Sequence, residues 1–314
     1  MVTGVVTGGL KPAGYAQAPP ATEVYLAPIR AGGTPPVGAW ISISNDPDYD
    51  NQPSFLPDGS AVLFTSRRDG KQTDIYRYDI ASRKLTQLTK TPESEYSPTV
   101  TPDGKTFSVI RVEADNTQRL WRFDLDGSNP RLVLENIKPV GYHAWIDSTH
   151  LALFVLGSPA TLQIADTKTG QATVAVTGIG RSILVRPGRG TISYLATSET
   201  PRMLKEFDPR TGSTSSLIAP IDSSQDCAWM PDGRLLMAAA GGTEISVWTP
   251  GTNEWHGFFI FNADGVTPLA GRGATSATNE PAAVTPFPFR NITRLAVSPD
   301  GKWLAFVAEP ASAK

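Results

Sequence analysis

The sequence predicts an all-β fold: a six-bladed β-propeller of four-stranded blades, closed by a blade shared between the N- and C-terminal strands. Three observations predict it. A Pro-Asp-Gly turn recurs at near-constant spacing, a second strand pair recurs inside each unit, and the two ends of the chain carry complementary half-units.

The turns set the period. Pro57-Asp58-Gly59, Pro102-Asp103-Gly104, Pro231-Asp232-Gly233 and Pro299-Asp300-Gly301 each stand between two apolar, β-rich runs. Asp-Gly favours a tight hairpin because glycine takes positive φ without steric cost. Degenerate copies at Trp145-Ile146-Asp147-Ser148 and Arg186-Pro187-Gly188-Arg189-Gly190 fill the interval. Successive steps from Asp58 to Asp232 are 45, 44, 41 and 44 residues, the size of one four-stranded blade. The last step, to Asp300, is 68 residues. Its excess of about 24 over one blade falls at 266–288 and reads as a long loop insertion.

The outer half of each unit repeats too. Asp74–Asp79, Arg119–Asp124, Thr161–Asp166, Met203–Asp208 and Glu244–Trp248 alternate apolar and polar residues, as half-buried strands do. At the C-terminal end, residues 291–308 hold only the first two strands of a unit. Residues 22–44 look like the missing last two. The chain is thus expected to form one propeller domain over 22–310, with 1–21 a disordered tail or the remnant of an export signal. Ala16-Gln17-Ala18 has the small-x-small form of a secretory cleavage site.

Composition narrows the function classes. Of 314 residues, 40% are hydrophobic and 18% charged, and 28 Lys+Arg against 30 Asp+Glu give a net charge of −2. A disordered chain would be less apolar or more charged, and a phosphate-neutralising nucleic-acid binder would be basic, so no nucleic acid is expected as partner. One cysteine, Cys227, rules out an intrachain disulfide and a Cys-rich zinc site. No run approaches the 18 apolar residues of a membrane-spanning helix.

The Pro-Asp-Gly units resemble the TolB-like propeller repeats, relatives of the WD repeat, over about residues 22–308. Tyr49-Asp50-Asn51-Gln52-Pro53-Ser54-Phe55, Glu93-Ser94-Glu95-Tyr96-Ser97-Pro98 and Gly141-Tyr142-His143-Ala144-Trp145-Ile146-Asp147 look closer still to a group of uncharacterised, exported bacterial propellers. That resemblance implies a periplasmic or secreted location and supplies no reaction. TolB carries an α/β domain ahead of its propeller, and about 21 residues precede the first strand here. Prolyl oligopeptidases carry such propellers beside a hydrolase domain, whose nucleophile has no counterpart in this chain.

In a propeller the first strand of each blade lines the central channel, and the loops leading into those strands form the rim of a funnel. The rim residues expected here are Asn51 and Gln52, Glu95 and Tyr96, Tyr142 and His143, Arg181 and Ser182, Gln225 and Asp226, and Asn291 and Thr293. All six sites are polar, which suits a non-catalytic binding role towards a peptide, a protein or a glycan. The alternative is a funnel-sited lyase or hydrolase acting on acidic saccharides or lactones. There His143 would be the general base, Glu95 or Asp226 its partner, and Arg181 the stabiliser of a developing anion. A structural reading of His143, bonded between blades beside Trp145, stands next to it.

No metal or cofactor is expected. His150 and His256 sit at turns, and no HExxH, Gly-x-Ser-x-Gly, phosphate loop or dinucleotide fingerprint is present. Asp46, Asp48 and Asp50 are spaced like the start of a calcium loop. Asn51 stands where that loop needs glycine and Pro57 where it needs glutamate, so they read as a solvated acidic turn. Cys227 reads as a packed core thiol. Arg67, Arg68, Arg111 and Glu113 read as surface ion-pair residues.

Overall fold

The computed structural model describes residues 20–30, 32, 36–68, 70–262, 265–268 and 289–311. Six antiparallel sheets follow one another in chain order. Blade 1 comprises Tyr49–Phe55, Ala61–Arg67, Asp74–Asp79 and Lys84–Gln87; blade 2 Ser94–Val100, Thr106–Val112, Gln118–Asp124 and Arg131–Leu132. Blade 3 comprises Val140–Trp145, His150–Val155, Thr161–Asp166 and Gln171–Thr177; blade 4 Ile179–Val185, Ile192–Ala196, Met203–Asp208 and Ser213–Ile218. Blade 5 comprises Cys227–Trp229, Leu235–Ala238, Glu244–Trp248, His256–Asn262 and Gly265–Pro268. Blade 6 is the shared one: Phe289–Val297 and Trp303–Pro310 from the C-terminal end, Glu23–Pro28 and Ile41–Ser42 from the N-terminal end.

Closure is a continuous antiparallel ladder, from Glu23 opposite Ala308 to Pro28 opposite Trp303. Thr22 then stitches the start of that blade to blade 1, accepting a bond from the Asp50 amide (2.9 Å) and donating its own amide to the Asp48 carbonyl (3.0 Å). Each innermost strand touches that of the next blade, and the sixth touches the first, so the ring closes.

The second strand of each blade is buried almost along its whole length because a neighbouring blade covers each of its faces. Alternation therefore sorts residues between two cores rather than between core and water. Val62 and Phe64 pack with Val24 and Val307 of blade 6, while Ala61 and Leu63 pack with Phe107 and Val109 of blade 2. Leu151, Leu153 and Val155 join the core towards blade 2, and Ala152 and Phe154 the core towards blade 4. At about 2–3 kcal/mol for each large apolar side chain buried, these seams supply much of the force that keeps the sheets stacked.

The Pro-Asp-Gly turns close as their chemistry dictates. Asp58, Asp103, Asp232 and Asp300 each accept, through Oδ1, the amide two residues on, at 3.0–3.1 Å. The glycines between have φ of 66–87°. One expectation needs refinement: Val266–Pro268, read as the beginning of a loop, belong to a fifth strand that pairs with His256–Asn262. The remainder of that expected loop, 269–288, and the tail 1–19 lie outside the described residues.

Candidate functional site at the hub

Each innermost strand except the short one of blade 5 has a break in register with its neighbour, at Asn51/Ser54, Tyr96/Thr99, Val140/Tyr142, Ile179/Ile183 and Arg290/Thr293/Ala296. At Gln52, Ser97 and Arg294 the backbone is left-handed, with φ of 57°, 54° and 52°. Non-glycine residues there cost of order 1 kcal/mol or more, and such bulges re-aim side chains. All three lie three residues before the last residue of their strand. The other strands place Tyr142, Ser182 and Asp226 at the same position. One ring of equivalent positions therefore holds Gln52, Ser97, Tyr142, Ser182, Asp226 and Arg294.

Three members of this ring meet. Arg294 Nη2 donates to Tyr142 Oη at 2.8 Å, and the guanidinium lies 4.9 Å from the centre of the Tyr142 ring. Blades 6 and 3 are three apart in either direction around the ring, so this contact crosses the axis. Arg294 Nη1 is also 3.8 Å from Asp226 Oδ1, and Arg181 Nη2 donates to Asp226 Oδ2 at 2.7 Å. Four blades thus contribute to one cluster in which two guanidiniums share one carboxylate. Asp226 is buried, whereas the Arg294 and Arg181 side chains remain 18% and 36% exposed, so the surplus positive charge faces solvent.

The other expected rim residues have different neighbours. Gln52 Oε1 accepts from the Ser97 amide (2.9 Å) and the Thr65 hydroxyl (3.1 Å), tying blade 1 to blade 2. Asn51 is buried and accepts the Gln52 amide. Gln225 reaches back to the Arg181 amide at 3.3 Å, filling space that a β-carbon at Gly180 would occupy, 2.7 Å from its Oε1. Ser182 Oγ lies 3.6 Å from Cys227 Sγ. Burial pushes that thiol up to about 12, so it is a core residue and no nucleophile at neutral pH. Tyr96 packs into the core between blades 2 and 3. Asn291 donates to Glu309 at 2.7 Å on its own blade, and Thr293 is half-buried opposite Val307.

Glu95 and His143 stand apart from the cluster. Glu95 is fully buried, bonded to the Thr91 and Thr89 hydroxyls and paired with Arg111 at 3.0 Å. Burial outweighs these partners and pushes its carboxyl up to about 7. His143 Nε2 lies 2.6 Å from Ser108 Oγ of blade 2, which also accepts the Trp145 indole N–H at 2.9 Å. Burial holds this imidazole down to about 3, hence neutral. Trp229 repeats the arrangement on Ser193 of blade 4, also at 2.9 Å, which marks the Trp–Ser bond as a blade-to-blade fastening.

Two expectations are corrected. Asp46 and Asp48 pair with Arg68 and Arg67, but Asp50 is no part of a solvated turn. The alternation continues into the innermost strand of blade 1 and turns its carboxylate inward, fully buried. Arg111, read as a surface residue, is 6% exposed, because its partner Glu95 occupies the buried position equivalent to Asp50 in the next blade. Among the described residues no group of three or more His, Cys, Asp or Glu is placed to hold a metal ion.

With the hub described, the class of protein is clear: a six-bladed propeller with TolB-like homologues. No family model matches the chain. The Tol-Pal system protein TolB of Anaeromyxobacter dehalogenans strain 2CP-C is 27% identical over 129 residues, 37% of this chain and 28% of that protein. An uncharacterised Agrobacterium fabrum protein, Atu1656, is 30% identical over 124 residues, 40% of this chain and 38% of that one. The matched stretch therefore spans well under half of these relatives' own length. Among solved structures, a TolB-like structure from Agrobacterium tumefaciens superposes with a TM-score of 0.66 at 16% identity, covering 93% of this chain and 99% of that one. TolB from Acinetobacter baumannii gives 0.56 at 15%, covering 79% and 64%, and an oligogalacturonate lyase in complex with manganese gives 0.53 at 14%, covering 88% and 81%. At these identities the structural likenesses speak for the fold alone.

Proposed function

We propose that this chain is a non-catalytic binding propeller of the bacterial envelope or extracellular space, holding a peptide, protein or glycan in its central funnel. One observation carries the reading: side chains from blades 3, 4, 5 and 6 converge on a cluster with more guanidinium than carboxylate. An acceptor-rich ligand, such as a peptide carboxylate or a uronate, would sit on the Arg294–Tyr142 bridge. The match to Tol-Pal system TolB supports an envelope setting. No helix among the described residues is long and apolar enough to cross a membrane. The catalytic alternative draws less support, because His143 faces a serine, and no carboxylate among the described residues is within hydrogen-bond reach of it.

The test is calorimetric titration of wild type, Arg294→Ala and Asp226→Asn with two probes, a short acidic peptide bearing a free C-terminus and tri-galacturonate. The reading expects binding of at least one probe, weakened about tenfold or more by Arg294→Ala, as for a charge-assisted hydrogen bond, with the variant still folded by circular dichroism at the titration temperature. Equal affinity in wild type and Arg294→Ala, or no binding of either probe, sinks it. Conversion of the saccharide on prolonged incubation would favour the lyase instead.

A further inference from the structure

Among the described residues three large hydrophobic side chains are exposed, Ile41, Leu156 and Val174. Ile41 and Val174 lie in the outermost strands of blades 6 and 3, whereas Leu156 directly follows the second strand of blade 3. It prolongs the ladder to the innermost strand, its amide donating to the Pro139 carbonyl at 2.9 Å. A leucine 42% exposed therefore stands beside a strand that lines the hub.

Leu156 is one end of an apolar strip whose other end is the arginine cluster. Phe154 precedes it by two residues, hence on the same face of the strand and about 7 Å away. Phe154 lies opposite Tyr142, and the two rings meet edge to face with centres 5.7 Å apart. Tyr142 in turn carries Arg294 on its hydroxyl and its ring. Gly141 makes the strip possible: a β-carbon there would stand 3.0 Å from Phe154 Cδ1 and 3.5 Å from Leu156 Cδ1. On the facing blade, Ile179 and Ile183 pack into the same core as Phe154, and Arg181 comes between them in sequence. Arg181 Nε is buried and has no hydrogen-bond partner among the described residues.

A ligand held at the cluster meets both features, a donor set short of acceptors and an exposed apolar side chain. We infer, on the strength of the hub-binding role proposed above, that the ligand is a peptide with a free C-terminal carboxylate and an apolar last residue. Arg294 and Arg181 take the carboxylate, and the last side chain lies on Leu156. Both groups leave one Cα, and an apolar contact itself takes up about 4 Å, so a single residue bridges the strip. A uronate fits less well, because its ring hydroxyls would lose water against Leu156 and Phe154 with no polar group to replace it.

The experiment is calorimetric titration of wild type, Leu156→Ser and Arg294→Ala, each checked for folding by circular dichroism. The probes are acetyl-Gly-Gly-Ser-Leu as the free acid, its C-terminal amide, acetyl-Gly-Gly-Ser-Ser as the free acid, and tri-galacturonate. Wild type should bind the leucine acid about tenfold more tightly than the amide, and about tenfold more tightly than the serine acid, as for half-burying a leucine. Leu156→Ser should abolish the preference for leucine over serine and keep that for acid over amide. Arg294→Ala should reduce the preference for acid over amide. A purely structural role of Leu156 would instead weaken all probes alike and leave both preferences intact. An amide or serine acid bound as well as the leucine acid, tri-galacturonate bound more tightly than any peptide, or a leucine preference that survives Leu156→Ser overturns the inference. The hub-binding role outlives those results if Arg294→Ala still weakens whichever probe binds. No binding of any probe overturns both.

Discussion

Replacing Asp50 by Asn is expected to stabilise the protein, and by more as the pH rises. The carboxyl is fully buried, and burial pushes it from 3.8 up to about 7. Ser66, Arg68 and Ser44 are its polar neighbours and offset part of that shift. Even so, neither carboxylate oxygen has a hydrogen bond of normal geometry among the described residues. The folded value lies above the unfolded one, so the folded state keeps a proton that the unfolded chain releases. The stability linked to this group is therefore fully present below about pH 4 and is lost as the pH rises to about 7, at about 1.4 kcal/mol per pH unit, then stays level. A shift of about three units makes the total about 4 kcal/mol. Asparagine has nearly the same shape and cannot ionise, and the parallel shift of Glu95 is common to both proteins and cancels. Urea unfolding followed by tryptophan fluorescence at pH 5, 6, 7 and 8 reads the difference. The advantage of Asp50→Asn should grow by about 2–3 kcal/mol between pH 5 and 8. A difference independent of pH, or a variant less stable than wild type at pH 8, refutes the reasoning.

Two further outcomes follow from the same structure. Arg111→Ala removes the guanidinium paired with the buried Glu95 and should destabilise by about 3 kcal/mol at pH 8 but clearly less at pH 6, where the carboxyl is mostly protonated; a loss equal at both pH values in chemical denaturation would count against it. Tyr25→Ala should cost about 3–5 kcal/mol, read as a lower thermal midpoint, because Tyr25 from the N-terminal strand stacks on Phe306, ring centres 5.3 Å apart, and packs at a tilt against Phe289 at 4.9 Å, both from the C-terminal strands; a loss under about 1 kcal/mol would mean the shared blade contributes little.

The fold was legible because its signals are local. Asp-Gly turns with their own side-chain caps, and strands alternating between two covered faces, write a period of about 44 residues directly into the chain. The hub was legible only in part. Counting forward from the loops found Gln52, Tyr142, Ser182 and Asp226 but passed over Ser97 and Arg294. Loop lengths differ between blades, whereas the distance back from the apolar residue before each turn is fixed. Counting back from Phe55, Val100, Trp145, Val185, Trp229 and Val297 gives the whole ring. The Arg294–Tyr142 bond spans 152 residues, and no local pattern announces it. Asp50 was misread for a related reason: spacing within a turn says nothing about the N-terminal strand that arrives beside it and seals it from water.

The ladder from Glu23 to Ala308 also sets the order of events during synthesis. While the ribosome is still making blades 1 to 5, Val24 and Leu26 have only the short strand Ile41–Ser42 beside them and lack Trp303–Pro310 on their other edge. The face of Val62 and Phe64 that Val307 later covers stays open to other chains in the cytosol or to a chaperone. Only when Trp303–Pro310 emerge can Glu23–Pro28 complete its blade. This ladder between strands far apart in sequence is thus formed late, and the slow step of folding should be ring closure, not the hairpins that build each sheet.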